Sequence, residues 1–154
     1  MAYKLRFGRI SLKTSHETGI GFEIEKDVDR TFLDSSKFTE THRHGLSVVL
    51  RTAAELQKDV GYVQGLNFIV GNLLLMMEHR ESIQAQKAAL AAFFTFLKQL
   101  DMKEFYTEKM LGLKEAIFKL ECLLYNEIPE VYLFLMEQNI PVEYFASQWF
   151  LTLF

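Results

Sequence analysis

From Gln64 to Met77 the chain is apolar on nearly every side of a helix, and this stretch limits what can be built around it. A helix with no polar face cannot lie on a surface, so other helices must wrap it. It is also shorter than the ~20 apolar residues a membrane span needs, and Gln64, Asn67 and Asn72 interrupt it. The sequence therefore predicts a buried central helix in a multi-helix domain.

The flanking segments supply the wrapping. Leu46, Val49, Leu50, Ala53, Ala54 and Leu56 recur at three-to-four spacing, while Arg51, Glu55 and Lys58 decorate the other side. This helix begins near Thr39 and should stop at Asp59-Val60-Gly61. Ser82 is a cap for the next, through Ala85, Ala89, Ala92, Phe93, Phe96, Leu97 and Leu100. Further helices are expected at about 112–126, 129–138 and 143–154, with Pro129 in a first turn and Asn139-Ile140-Pro141 as a break. Residues 1–23 carry Gly8, Gly19 and Gly21 and read as irregular; Ile24 to Phe38 reads as short turns. No repeat of ~34–45 residues is visible, which argues against a helical solenoid. The fold class expected is all-α, a single multi-helix globular domain.

Composition excludes several function classes. Of 154 residues, 49% are apolar and only two are proline, which suits a packed globule rather than a disordered chain. The 14 phenylalanines are expected mostly in a core. Lys/Arg and Asp/Glu are interspersed around a net charge of -3, so no basic stripe exists for nucleic acid and no polybasic run for anionic membrane. Cys122 is the sole cysteine, which forbids an intrachain disulfide, suits a reducing cytoplasmic setting, and reads as buried beside Leu120, Leu123 and Leu124. Phe145 to Phe154 is strongly apolar without a polar tail, which reads as a cut within a domain.

Chemistry must come from few residues. There is no GxxxxGK[ST] loop, no GxSxG elbow and no second cysteine. His42 and His44, two apart, fall on different sides of a helix and read as solvated residues at its start, so no metal is expected. Two segments remain. In Ile24-Glu25-Lys26-Asp27-Val28-Asp29-Arg30-Thr31-Phe32, Asp27 can reach Arg30 across a helical turn. That pair is either a surface ion pair worth ~0–1 kcal/mol or an arginine fork oriented for phosphate oxygens. In Gly61-Tyr62-Val63-Gln64-Gly65-Leu66-Asn67, two amides open the most apolar helix. Buried amides need partners, so Asn67 can be explained by capping and loop-backbone satisfaction. Gln64 is either another such group or a side chain projecting from a turn that Gly65 permits.

Together these segments resemble the TBC domain, the family that activates Rab GTPases. That family carries IxxDxxR, matched by Ile24, Asp27 and Arg30, then YxQGxN, matched by Tyr62, Gln64, Gly65 and Asn67. A third motif with Ser and Trp is matched by Ser147 and Trp149. The resemblance covers residues 24–154 as a partial TBC domain. The family domain continues into further helices past the tryptophan motif and has an earlier tryptophan-bearing segment, whereas Trp149 is the only tryptophan here. Leu33 also stands where relatives often have proline.

The resemblance implies a GTPase-activating protein for a Rab-family small GTPase in its GTP-bound form. Arg30 would be an arginine finger and Gln64 a glutamine finger, both lent in trans. Asp27 would hold Arg30, and Tyr62, Gly65 and Asn67 would shape the loop presenting Gln64. Ile24, Ser147 and Trp149 are expected as motif positions in the core. No cofactor of its own is implied, since GTP and Mg²⁺ come with the partner GTPase, and the chain alone would not hydrolyse GTP. The implied location is the cytoplasm, with recruitment to endomembranes through the partner or regions outside these residues, as in vesicle trafficking. The alternative is an inert TBC-like module that binds a GTPase or acts as a scaffold.

Overall fold

The computed structural model describes residues 19–77 and 82–153. Seven α-helices follow one another among these residues: α1 Gly19–Asp29, α2 Glu40–Leu56, α3 Leu66–Met76, α4 Ile83–Gln99, α5 Leu111–Glu127, α6 Pro129–Glu137 and α7 Glu143–Thr152. One 3₁₀ turn, Met102–Phe105, joins α4 to α5. No strand occurs among the described residues, and no helix there is long and apolar enough to cross a membrane.

The apolar helix lies at the centre, as its lack of a polar face requires. α3 packs against α1, α2, α4 and α7, and its Leu66, Ile69, Val70 and Leu74 are buried. The main core gathers these with Ile24 and Val28 of α1, Leu46, Val49 and Leu50 of α2, and Ala89, Leu90, Phe93 and Leu97 of α4. A smaller core beneath α5 and α7 holds Leu113, Ile117, Val142 and Ala146. Phe105 and Leu151 touch both cores and tie α7 to the body. Ser82 caps α4 by accepting the Ala85 N–H at 3.1 Å, and Pro129 stands in the first turn of α6.

Several expectations need correction. Gly19 to Glu23, expected to be irregular, open α1, and the helix runs to Asp29 through residues expected as turns; residues 1–18 lie outside the described ones. The reason is tertiary. α1 buries Gly21, Ile24 and Val28 toward α2, and a Cβ at Gly21 would stand 2.7 Å from Arg51 Nη1. Glycine there permits close packing and outweighs its low helix propensity. Arg51 in turn binds the Gly21 carbonyl at 3.2 Å and the Glu25 carboxylate at 2.7 Å.

His42 is not solvated. It sits buried in the first turn of α2, where its Nδ1 accepts the Thr39 N–H at 3.1 Å and its ring stacks on Phe38. His44 is exposed. Cys122 is exposed rather than buried, because the inward line of α5 runs through Leu113, Ile117, Leu120 and Leu124. The phenylalanines divide: Phe38 and Phe93 are buried, while Phe22, Phe118 and Phe134 are exposed.

Candidate functional site

α1 ends one residue before Arg30, and the chain then turns sharply. Thr31 N–H still reaches the Val28 carbonyl at 3.1 Å, and Phe32 follows with a left-handed φ of 49°. Phe32 is held by edge contacts with Phe38 and Phe68, ring centroids 5.2 and 5.6 Å away. The backbone around Arg30 is thus anchored on an aromatic cluster while the Arg30 side chain remains 44% exposed.

Asp27 lies one turn earlier and is buried. Its Oδ1 takes Arg30 Nη2 at 2.6 Å, and its Oδ2 accepts the Tyr62 hydroxyl at 2.6 Å. One carboxylate therefore joins α1 to the loop before α3. Burial first, and then the Asp27 carboxylate, push the Tyr62 phenol above its usual range.

A second path runs beside the first. The Thr31 hydroxyl, fully buried, donates to the Asp27 carbonyl at 2.5 Å and accepts Asn67 Nδ2 at 2.8 Å. Asn67 Oδ1 accepts the Gly65 N–H at 3.0 Å. Asn67 therefore satisfies loop backbone, as expected for a buried amide that needs a partner. It also connects the residue after Gln64 to the residue after Arg30. Gln64 itself, between Tyr62 and Gly65, is exposed.

Gly65 caps α3 with φ 113° and ψ -35°. A Cβ there would meet Leu151 O at 3.1 Å and Leu151 Cβ at 3.3 Å. The end of α7 therefore presses on the loop that carries Gln64. Tyr106 holds that end by donating to Leu151 O at 3.0 Å, and burial raises its phenol above the usual range as well.

Among the residues singled out from sequence, the structure brings Asp27, Arg30, Tyr62, Gly65 and Asn67 into one bonded frame. Ile24 is buried beneath it. The third motif differs from expectation. Trp149 is 44% exposed, packed on Phe145 at 5.0 Å, and Ser147 bonds the Glu143 carbonyl on its own helix. The inward residue of that turn is Ala146. Thr31 and Leu151 were missed. Thr31 lies within the first motif segment, but its role depends on Asn67, 36 residues away.

The Thr31 junction gives a stability prediction. Thr31→Val keeps the shape but leaves buried Asn67 Nδ2 without this acceptor, and should cost about 1–3 kcal/mol. The urea midpoint measures it; an unchanged midpoint would show that the junction contributes nothing.

An all-helical domain that displays an exposed arginine and an exposed glutamine on two loops joined by hydrogen bonds is the class that this fold and site define. The chain belongs to the Rab-GTPase-TBC domain family, whose match spans residues 8–154. It is 35% identical over 133 residues to the Rab GTPase-activating protein eat-17 of Caenorhabditis elegans, covering 85% of this chain and 14% of that protein. To the growth hormone-regulated TBC protein 1-A of Danio rerio it is 32% identical over 148 residues, covering 93% of this chain and 39% of that one. In structure it resembles the Ypt/Rab-GAP domain of Gyp1p with a TM-score of 0.74 at 17% identity, covering 94% of this chain and 51% of that one. That likeness speaks for the fold, and the chain spans about half of the solved domain.

Proposed function

We propose that this chain supplies an arginine finger and a glutamine finger to the active site of a GTP-bound Rab-family GTPase. The observation that carries the reading is the double link between the two finger loops. Tyr62 binds Asp27, and Asn67 binds Thr31, while Arg30 and Gln64 both stay exposed. A solvated ion pair would not need a buried carboxylate shared with a second loop.

In this reading GTP and Mg²⁺ arrive with the partner, and the chain contributes two side chains. Arg30 neutralises charge on the transferring phosphoryl group, its fork aimed by Asp27. Gln64 orients the attacking water. Phosphoryl transfer asks a protein mainly for positioning and electrostatic stabilisation, so two well-held side chains suffice. The place of action would be the cytoplasmic face of the membranes that carry the partner. The name of the eat-17 relative, a Rab GTPase-activating protein, agrees with the proposal.

The test is single-turnover GTP hydrolysis by a panel of Rabs with wild-type chain, Arg30→Ala and Gln64→Ala. One Rab should be accelerated, and Gln64→Ala should reduce that acceleration by about 10²-fold, the scale of a misplaced reacting group. Binding of a GTP-loaded Rab without acceleration would replace this reading with that of an inert GTPase-binding module.

A further inference from the structure

Arg43, on α2, reaches across to the end of α1. Its Nη1 donates toward the carbonyls of Val28 at 3.0 Å, Asp29 at 3.4 Å and Thr31 at 3.1 Å. Its guanidinium carbon sits over the Phe38 ring, 5.5 Å from the centroid. These three carbonyls bracket Arg30 on both sides in sequence. They also lie at the C-terminal end of α1, where the helix dipole is negative and a cation is favoured.

Asp27 and Arg43 act on different parts of the same residue. Asp27 orients the Arg30 side chain, while Arg43 grips the main chain from which that side chain departs. Release of this turn would shift the Arg30 main chain while leaving both partners of its ion pair present. A finger must place its charge within about 1 Å, and displacement on that scale can cost ~10²-fold in rate.

We propose that Arg43 is a positioning residue for the arginine finger, a cationic clamp on the turn that presents Arg30. The inference rests on the proposed role of Arg30. All three contacts come from one nitrogen, so the clamp needs a single cationic donor group rather than a planar fork. A lysine ammonium, with three donors, can replace it in kind.

The experiment compares wild type, Arg43→Met, Arg43→Lys and Arg30→Ala in the full chain. Stimulated hydrolysis is read against activator concentration, beside hydrogen exchange of backbone amides. Arg43→Met keeps an apolar stem over Phe38 but loses charge and donors. It should lower kcat about 10- to 100-fold with KM unchanged, and speed exchange in Asp29–Phe32 but not in α5. Arg43→Lys should restore most of the rate. A wild-type kcat in Arg43→Met, beside a collapse in Arg30→Ala, overturns this inference alone. A joint loss of kcat and KM with faster exchange throughout α1 and α2 also overturns it, since Arg43 would then serve the fold in general. If Arg30→Ala is as active as wild type, the proposed function falls and the clamp falls with it.

Discussion

Arg30→Ala is expected to lower the stimulated GTPase rate by about 10³–10⁵-fold, the scale of an arginine finger. Affinity for the GTP-loaded partner should change little, because a finger acts chiefly as charge develops in the transition state. The structure suits a large effect confined to kcat. The Arg30 guanidinium is tethered through Nη2 yet its side chain stays partly exposed, and the counter-charge that holds it is buried and shared with Tyr62. Removing the guanidinium leaves the Asp27–Tyr62 bond intact, so the two loops remain joined. Arg30→Lys should recover little, since an ammonium cannot reproduce a fork that contacts Asp27 and phosphate oxygens together. Single-turnover hydrolysis with separately measured binding decides it. Equal losses of rate and affinity would make Arg30 an anchor for binding rather than a finger.

What could be read in the sequence followed helical period. α2 and α4 announce themselves through apolar residues at three-to-four spacing, α6 and α7 through Pro129 and the Asn139-Ile140-Pro141 break, and α3 at the centre through the absence of a polar face there. α1 was hidden because two glycines depress local helix propensity, and only the approach of Arg51 explains Gly21. Cys122 was misjudged for a related reason. Its sequence neighbours are leucines, but burial on a helix follows residues three and four away. At the site, the Asp27–Arg30 pair is local and could be read from spacing. The bonds from Asp27 to Tyr62 and from Thr31 to Asn67 cross 35 and 36 residues. No local pattern encodes them, because they depend on how α1 settles on α3. The family resemblance placed both loops in one site, and the structure adds the atoms that join them.

Gly65→Ala is expected to lower kcat about 10²-fold although position 65 offers no side chain to the partner. Two costs act together. The backbone holds φ 113°, where an L-residue is strained by about 1–3 kcal/mol. The added methyl also meets the Leu151 carbonyl, which Tyr106 pins in place, so α7 cannot give way freely. The loop must therefore move, and Gln64 is the residue next to it. If displacement of Gln64 is the route, Gly65→Ala should add almost nothing to a Gln64→Ala background, since neighbours that act as a unit are not additive. Gly19→Ala, where no atom of the described residues beyond its own helix backbone and chain neighbours lies within 4 Å of the new methyl, is the matched control and should lose neither rate nor stability. Full rate in Gly65→Ala would show that Gln64 tolerates a shifted loop. An additive loss in the double variant would show that the loop reaches catalysis through Asn67 and Thr31, on the arginine side of the frame.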